Sequence, residues 1–157
     1  VHTDIFRILD HNKLLDMIGI ITCGSTKKDY SCSAVEMYSD GRFFNTMRKY
    51  VENTYDKYYI LSGKYGLLDP NQIIEPYGDV VFFAQKIFKK RGLKPQPKEY
   101  KLKWAEMVSN QVNFTDEVNW HINIYYWEYL QPHFTASNHI FHKFERHLGP
   151  NMKKYKL

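Results

Sequence analysis

The stretch YYILSGKYGLLDPNQIIEPY, residues 58–77, joins the end of an apolar strand to a polar turn. Its apolar and aromatic start, which runs to Leu61, is typical of a buried strand. Ser62, Gly63 and Lys64 follow directly, and two proline-containing turns come after them. A lysine at the mouth of a buried strand is either a solvated rim charge or a group directed at a ligand.

A second strand followed by a small-residue turn lies earlier in the chain. The segment MIGIIT, residues 17–22, is short, β-branched and apolar, which predicts a central strand. It runs into CGSTKK, residues 23–28, which carries two lysines. In open α/β sheets, ligands bind beyond the carboxyl ends of the strands, so we expect both turns at one ligand-binding edge. Ordinary strand-to-helix turns with solvated lysines are the alternative, and the two interpretations are evenly balanced.

The remaining segments predict helices and one further strand. A short helix begins in EYLQPHF and contains or ends at Pro132. Because the connections are too long for hairpins, we expect a single-domain α/β protein with a mostly parallel central sheet flanked by helices. We assign residues 1–157 to this domain, with 1–16 as an N-terminal helical extension and 17–157 as the α/β core. The patterns predict helices at 5–15, 41–55, 80–91 and 98–113, and a third strand, WHINIYYW, at 120–127.

Composition limits the class of protein without identifying it. The chain has 157 residues, of which 43% are hydrophobic, enough to bury one core. The formal net charge of +5 favours an anionic partner, although many soluble proteins carry a similar excess. Aromatic residues make up 17% of the chain, which suits either a dense core or a surface on which bases stack.

The sequence predicts neither a disulfide framework nor a metal site. Cys23 and Cys32 lack a paired-cysteine motif, which favours a reducing, cytoplasmic setting. The late histidines have no recognisable ligand spacing, and we expect no metal and no cofactor. No apolar run approaches the length of about 20 residues that a membrane helix needs, and the first residues lack the pattern of a secretion signal. We therefore expect no membrane partner.

Both strand-end turns carry groups that bind anions. Gly24 and Gly63 let the backbone approach a ligand closely, and the neighbouring N–H groups can cradle an anion. CGSTKK lacks the first glycine and the spacing of a phosphate-binding P-loop, so that motif is absent. The hydroxyl and ammonium groups that would complete such a site are Ser25, Thr26, Ser62, Lys27, Lys28 and Lys64.

Acid–base, thiol and aromatic groups are the candidates for chemistry. Glu75 is the best candidate acid or base, against the alternative of a surface turn shaped by two prolines. Cys23 follows a strand, where helix-terminal N–H groups would stabilise its thiolate and His121 would approach in space. A small buried cysteine is the ordinary alternative. The aromatic residues of 125–129 would form a stacking platform, but only half of a strand's residues share one face.

The segment ILSGKYGLLDPNQIIEPY resembles the signature of the YaaA-type peroxide-stress proteins. It is closer still to an uncharacterised bacterial and phage family known as a domain of unknown function. That second family is also similar to this chain in CGSTKK, in EMYSDGRFFNTMRKYVE, in IYYWEYLQPHF and in a closing LG…K segment. The resemblance covers most of the chain from Met17 to Leu157.

The YaaA resemblance implies a compact α/β fold with a basic groove that binds double-stranded DNA. The archaeosine synthases, which alter a deazaguanine base in tRNA, are more distantly similar through a cysteine-and-lysine turn that resembles Cys23 to Lys28. Together these resemblances imply nucleobase or nucleic-acid chemistry. This chain departs from the YaaA pattern at Lys64 and is considerably shorter, so the whole DNA-binding apparatus of that family is not expected here.

We therefore predict an enzyme that acts on a nucleobase or nucleotide, with DNA favoured over RNA as the carrier. The predicted reaction is excision, exchange or modification of a base, of the glycosylase or transferase type. The predicted catalytic residues are Lys64, Glu75 and Cys23. A non-catalytic DNA-binding protein and a phage-encoded protein-binding inhibitor are the alternatives. The predicted substrate-binding residues are Gly24, Ser25, Lys27, Ser62, Gly63, Tyr65 and Tyr77, and the predicted nucleic-acid-binding residues are Lys86, Lys89, Lys90 and Arg91.

Overall fold

The structure, a computed structural model, describes residues 14–83, 89–143 and Tyr155. The described strands are β1 Leu14–Thr22, β2 Cys32–Ser33, β3 Tyr55–Ser62, β4 Gly66–Leu68, β5 Ile73–Ile74, β6 Glu117–His121 and β7 His139–Phe141. The described helices are α1 Ala34–Met37, α2 Arg42–Thr54, α3 Lys98–Gln111 and α4 Ile124–Leu130, followed by a 3-10 turn at Gln131–His133.

The main sheet of the described chain has five strands in the order β4-β3-β1-β6-β7. Strand β1 is parallel to both β3 and β6, and β7 is parallel to β6. Only the short strand β4, which follows β3 through a tight turn, is antiparallel within this sheet as described. The prediction of a mixed α/β fold with a mostly parallel sheet flanked by helices is confirmed. Strands β2 and β5 form a separate antiparallel pair.

Strand β1 is apolar on both faces because helices cover both sides of the sheet. Ile21 packs in the cluster that contains the buried face of α2, whereas Ile20 packs in the cluster that contains the buried face of α3. Gly19, which precedes these two residues, lies against the ring of Tyr55, which leaves no space for a side chain at position 19. The two predicted helices on either side are confirmed. Their buried residues are Phe44, Met47 and Val51 on α2, and Trp104, Ala105 and Val108 on α3.

The predicted third strand at 120–127 is wrong beyond His121. The side chain of Asn123 accepts a hydrogen bond from the backbone N–H of Tyr125 at 2.9 Å and so caps a helix, α4, in place of a longer strand. Tyr126 and Leu130, one helical turn apart, are then buried together. The expectation that Pro132 sits in a short helix is confirmed by the 3-10 turn.

Two predicted helices also differ from the structure at their ends. Leu14 pairs with Tyr55, so residues 14–16 belong to strand β1 rather than to the predicted helical extension. Residues 80–83 form an irregular segment and not the start of the predicted helix. Val81 and Phe82 are buried, and the carbonyl oxygen of Val81 accepts a hydrogen bond from the backbone N–H of Gln96. The rest of the predicted extension, residues 1–13, and the middle of the predicted helix 80–91, with Lys86, lie outside the described residues.

Within the described ranges, no helix is both long and apolar enough to cross a membrane. Both cysteines are free thiols, with Cys32 buried and Cys23 half-buried at the end of β1. The boundary between an N-terminal extension and a core stays a prediction.

Candidate functional site

The two strand-end turns meet at one edge of the sheet, as the sequence predicts. The backbone N–H of Cys23 donates to the carbonyl oxygen of Leu61 at 2.9 Å, so the turn after β1 is joined to the end of β3. Ser62, the last residue of β3, is fully buried beside it. The parallel pairing of β1 with β3 explains this arrangement, because both strands end at the same edge.

Two adjoining spaces open at this edge. The first, which we call the inner cavity, has a volume of about 50 Å³ and is lined by Cys23, Gly24, Ser25, Lys27, Gly63, Tyr77, Val80, Phe82, Phe83 and Tyr126. The second, the outer groove, has a volume of about 510 Å³ and is lined by Ser25, Thr26, Lys27, Lys28, Asp29, Pro76, Tyr77, Gly78, Val80 and Arg91. The spaces adjoin because they share four lining residues, namely Ser25, Lys27, Tyr77 and Val80.

A chain of hydroxyl groups lies behind the inner cavity. Ser62 Oγ accepts the backbone N–H groups of Lys64 and Tyr65, each at 3.1 Å. These two bonds engage both lone pairs of the serine oxygen, so its own hydrogen is donated to the Tyr77 hydroxyl 2.9 Å away. The Tyr38 hydroxyl lies 2.7 Å from the same Tyr77 oxygen.

The Tyr77 hydroxyl also reaches the cysteine of the cavity. It donates to Cys23 Sγ in a long contact of 4.0 Å. Burial raises the pKa of the Cys23 thiol, and this effect outweighs the opposing influence of the Lys27 charge. Burial likewise raises the pKa of the Tyr77 hydroxyl well above its ordinary value. Both groups are therefore protonated at neutral pH and act as hydrogen donors.

The predicted helix-terminal stabilisation of the Cys23 thiolate is wrong. The next helix along the chain, α1, begins only at Ala34, so it supplies no N–H groups to position 23. The predicted approach of His121 is replaced by other contacts, because its ring nitrogens lie 2.6 Å from the Tyr55 hydroxyl and 3.1 Å from the Tyr155 hydroxyl.

The lysines of the two turns have different surroundings. Lys64 Nζ pairs with Asp79 at 3.3 Å and lies over the rings of Tyr65 and Tyr77. The Asp79 backbone N–H, followed by Lys64, holds the pKa of the Asp79 carboxyl below its usual range. Lys27 Nζ lies 4.5 Å from the centroid of the Tyr77 ring.

Burial lowers the pKa of Lys27, and the nearby charge of Arg91 lowers it further. Lys28, next in the chain, instead pairs with Asp40 at 2.9 Å, and this hydrogen bond raises the Lys28 pKa. The two adjacent lysines therefore differ in their tendency to hold a proton.

Helix α3 supports the site from behind through two aromatic side chains. Trp104 Nε1 donates to the Ser62 carbonyl at 2.9 Å, and the Tyr100 hydroxyl donates to the Gly63 carbonyl at 2.8 Å. Sequence reasoning missed both residues. The signal was present, because a tryptophan and a tyrosine on the inner face of a helix seek partners for their polar atoms when they are buried.

The turn after β3 needs glycine at position 66 rather than at position 63. Gly66 has a φ of +73° and packs against Gln111, which itself accepts the N–H of Leu67 and donates to the Tyr65 carbonyl. A Cβ at Gly63 would lie 3.5 Å from the Cβ of Phe82, an ordinary contact. Gly63 therefore borders the inner cavity without being required by the backbone.

The structure brings together most of the predicted site residues and leaves others apart. Glu75 is exposed and does not line either space, although its backbone carbonyl accepts a hydrogen bond from the Tyr65 hydroxyl at 3.1 Å. The carboxylate that contacts a site lysine is Asp79. The role of Glu75 as an acid or base stays a prediction. Residues brought together at the edge are Cys23, Gly24, Ser25, Lys27, Ser62, Gly63, Lys64, Tyr65 and Tyr77.

Three of the four predicted nucleic-acid-binding residues lie within the described chain. Lys89, Lys90 and Arg91 are exposed, and Arg91 lines the outer groove. In place of the expected strand-borne stacking platform, α4 sends Tyr126 into the inner cavity and leaves Tyr125 exposed against Phe83, with ring centroids 5.1 Å apart. In the part of the chain that the structure describes, no three His, Cys, Asp or Glu residues are grouped so that they could hold a metal ion.

Comparison with known proteins identifies a family whose function is unknown. Residues 18–149 match the sequence model of a family of unknown function, DUF6884. No curated protein and no solved structure matches the chain. The expectation of a family known as a domain of unknown function is thereby confirmed, and the resemblance to YaaA-type proteins and archaeosine synthases stays a prediction.

Proposed function

The chain belongs to the DUF6884 family, whose function is unknown, and we propose from its site that it is an enzyme acting on a nucleobase or nucleotide, with DNA as the favoured carrier of that base. The observation that supports this proposal is the junction of an aromatic inner cavity with a cationic outer groove. A nucleotide has the matching division between a flat, apolar-faced base and a negatively charged phosphate.

The inner cavity suits the edge of a planar ring. Phe82 and Tyr126 line it with their rings 4.5 Å apart, and Tyr77 lines both it and the groove. Aromatic side chains stack on every base, because each base has a π-face. The volume of about 50 Å³ admits part of a base, and the outer groove of about 510 Å³ leaves space for the sugar and phosphate.

The outer groove suits a phosphate. Lys27 and Arg91 both line it and are close enough for the charge of Arg91 to lower the Lys27 pKa. A phosphate between them would replace this repulsion by two attractive contacts. The hydroxyls of Ser25 and Thr26 line the same groove and would donate further hydrogen bonds to the phosphate oxygens.

The protonated groups of the inner cavity suit chemistry at a base. Cleavage of a base from its sugar leaves negative charge on the base, and a proton donor at a ring nitrogen stabilises that charge. The Tyr77 hydroxyl and the Cys23 thiol are such donors, because both are protonated at neutral pH. Ser62 orients Tyr77, and Lys64, which pairs with Asp79, lies over the ring of Tyr77. Excision, exchange and modification of a base all use these groups.

The decisive experiment measures turnover. Wild-type protein is incubated with modified and unmodified DNA, with RNA and with free nucleosides, and the products are examined for abasic sites and altered bases. We expect turnover of at least one substrate, and we expect Tyr77→Phe to abolish it. Lys103→Arg should retain turnover, because Lys103 lines neither space and 76% of its side chain is exposed. A protein that binds these nucleic acids tightly and alters none of them would refute the enzymatic assignment.

A non-catalytic DNA-binding function is the second candidate, and the exposed run of Lys89, Lys90 and Arg91 favours it. In such a protein these side chains would neutralise phosphates without serving a reaction. The affinity would then fall with salt along a log–log slope of about −0.9 for each phosphate contact. Salt dependence together with unaltered DNA would select this candidate over the enzyme.

A further inference from the structure

Lys27 differs from the other two lysines of the strand-end turns, because both of those are ion-paired. Its Nζ lies over the ring of Tyr77, and its described hydrogen bond runs to the carbonyl oxygen of Ser25 at 3.5 Å. No carboxylate of the described residues lies within ion-pair distance of this amine. Among the described residues the amine of Lys27 therefore forms no ion pair, and Asp79, which pairs with Lys64, acts on it only through its more distant charge.

The same side chain is placed between the two spaces of the site. Lys27 lines both the inner cavity and the outer groove, and it is the one cationic residue among the described residues that line the inner cavity. Burial lowers its pKa against the opposing influences of Cys23 and Asp79, the charge of Arg91 adds to the lowering, and the fraction of neutral amine is thereby enlarged. The neutral amine is the nucleophilic form of lysine, and lysines desolvated in this way form imines with carbonyl groups.

We propose that the amine of Lys27 forms an imine with the aldehyde group of a phosphorylated ligand held in the outer groove. The lone pair of Nζ attacks the carbonyl carbon, and the nitrogen passes one of its two protons, by way of water, to the carbonyl oxygen to give a carbinolamine. The carbinolamine hydroxyl leaves with a further proton as water, and the nitrogen releases its proton as the C=N bond forms. Amine and aldehyde thus give imine and water, with no oxidant or reductant.

The groups that would move these protons line the same cavity. Lys27 Nζ lies 4.5 Å from the centroid of the Tyr77 ring, and the hydroxyl carried by that ring is protonated at neutral pH. The Cys23 thiol, also protonated, is the next group along the hydrogen-bond chain. Either group would donate a hydrogen bond to the carbinolamine hydroxyl, and water in the outer groove would supply the proton with which that hydroxyl leaves.

The biological aldehyde follows from the proposed function, and this part of the inference rests on it. When a base is removed from DNA, the deoxyribose ring opens to expose an aldehyde at C1′ beside its phosphates. A lysine at the boundary between a base cavity and a phosphate groove would meet that carbon. The imine chemistry of Lys27 itself does not depend on DNA being the substrate.

The first experiment tests the amine without nucleic acid. Pyridoxal 5′-phosphate, which carries both an aldehyde and a phosphate, is added to the full chain at neutral pH, reduced with borohydride and located by peptide mass mapping. We expect label at Lys27 ahead of every other lysine, slower labelling in excess inorganic phosphate, and loss of that peptide's label in Lys27→Arg. Lys103→Arg is the matched control and should leave the Lys27 label intact.

Equal labelling of Lys27 and Lys103 in one wild-type sample would overturn the inference, as would preferential labelling of Lys64. Thermal melting of Lys27→Arg identifies a variant that has merely unfolded. In that event the wild-type comparison of the two lysines still decides the result, because it needs no variant.

The second experiment separates the imine from the proposed function. Duplex and single-stranded DNA containing an abasic site are incubated with the protein and cyanoborohydride, and the covalent adduct is mapped. An adduct at Lys27 supports both proposals. Label from pyridoxal phosphate at Lys27 without an adduct on abasic DNA supports the imine and counts against DNA base removal. Abasic DNA trapped at another lysine overturns the role of Lys27.

Discussion

Ser62 Oγ lies 2.9 Å from the hydroxyl oxygen of Tyr77, and this contact joins the end of β3 to the segment that closes the inner cavity. The direction of the bond follows from the two backbone N–H groups that already occupy the serine oxygen. Tyr77 therefore accepts a hydrogen bond from Ser62, and its hydroxyl also lies 2.7 Å from the Tyr38 hydroxyl and 4.0 Å from Cys23 Sγ. The hydroxyl chain is ordered by the backbone and directed at the cavity.

Removal of the Tyr77 hydroxyl tests this chain. Tyr77→Phe leaves the hydroxyls of Ser62 and Tyr38 without their shared hydrogen-bond partner, and both are buried. We expect the free energy of unfolding to fall by about 1–3 kcal/mol, measured by denaturant titration. Tyr30→Phe is the control, because its hydroxyl bonds Glu36 at the exposed surface, and it should change stability by less than about 0.5 kcal/mol. Equal effects in the two variants would contradict the proposed bond pattern.

Three glycine-to-alanine variants separate backbone conformation, packing and cavity access. Gly92→Ala meets no atom within 4 Å but has a φ of +71°, so it should lower stability by about 1–2 kcal/mol through conformation alone. Gly66→Ala has the same unfavourable φ and in addition brings the new Cβ into collision with Gln111. It should therefore lower stability by clearly more than Gly92→Ala does. Thermal unfolding of the two variants gives the difference, and a Gly66→Ala protein as stable as Gly92→Ala would refute it.

Gly63→Ala should behave in the opposite way. The added methyl makes ordinary contacts with Val80 and Phe82, so we expect stability within about 0.5 kcal/mol of wild type. The methyl enters the border of the inner cavity, and the affinity for a base or nucleotide should therefore fall. Calorimetric binding combined with thermal melting tests both effects, and normal affinity would show that the ligand does not approach Gly63.

Acid should destabilise the protein through His139. Its Nδ1 accepts the indole N–H of Trp120 at 3.1 Å, and burial lowers its pKa below the ordinary 6.5. His139 therefore takes up a proton more readily in the unfolded chain than in the folded chain. As the pH drops below about 6.5, the contribution of His139 to the free energy of unfolding falls. Above that pH, this contribution is constant. His139→Gln should reduce that slope in denaturant titrations between pH 7.5 and 5.5.

His133→Gln is the comparison for this pH effect, because His133 is exposed on the 3-10 turn. We expect it to retain the wild-type slope. A slope that disappears equally in both variants would assign the pH dependence to something other than the buried imidazole.

Salt dependence should identify Arg91 as a phosphate contact. Arg91 is exposed and lines the outer groove, so its removal in Arg91→Ala should lower the log–log salt slope of nucleic-acid affinity by about 0.9. Lys103→Ala, which removes an exposed lysine remote from the groove, should leave the slope unchanged. Filter binding across a range of salt concentrations provides the measurement. An unchanged slope in Arg91→Ala would show that Arg91 does not contact a phosphate.

The helices and strands that could be predicted are those whose apolar residues recur at a clear period or whose ends are marked by small or polar residues. The strands ending at Thr22 and Ser62 carry apolar runs that small residues terminate, and α2 carries a one-sided apolar stripe. The helix after Asn123 was missed because an aromatic run suits a strand as well as a buried helix, and only the capping asparagine distinguishes them.

The site was predictable where one rule of topology applies. Parallel strands end at one edge, and this alone places Cys23 beside Ser62. The contacts of Tyr38 with Tyr77 and of Trp104 with Ser62 join residues about 40 positions apart, and no local pattern encodes such distances. The sequence analysis chose Lys64 as a catalytic lysine, and the choice of Lys27 for the proposed imine required knowledge of which lysine is paired with a carboxylate.

The bond from the Cys23 N–H to the Leu61 carbonyl has a kinetic consequence. It joins two parallel strands whose connection contains β2, α1 and α2, so it closes only after that crossover has folded. Parallel pairings of this kind are slow to form because a long loop must be ordered first. Native-state hydrogen exchange at Cys23 should therefore proceed only through global unfolding.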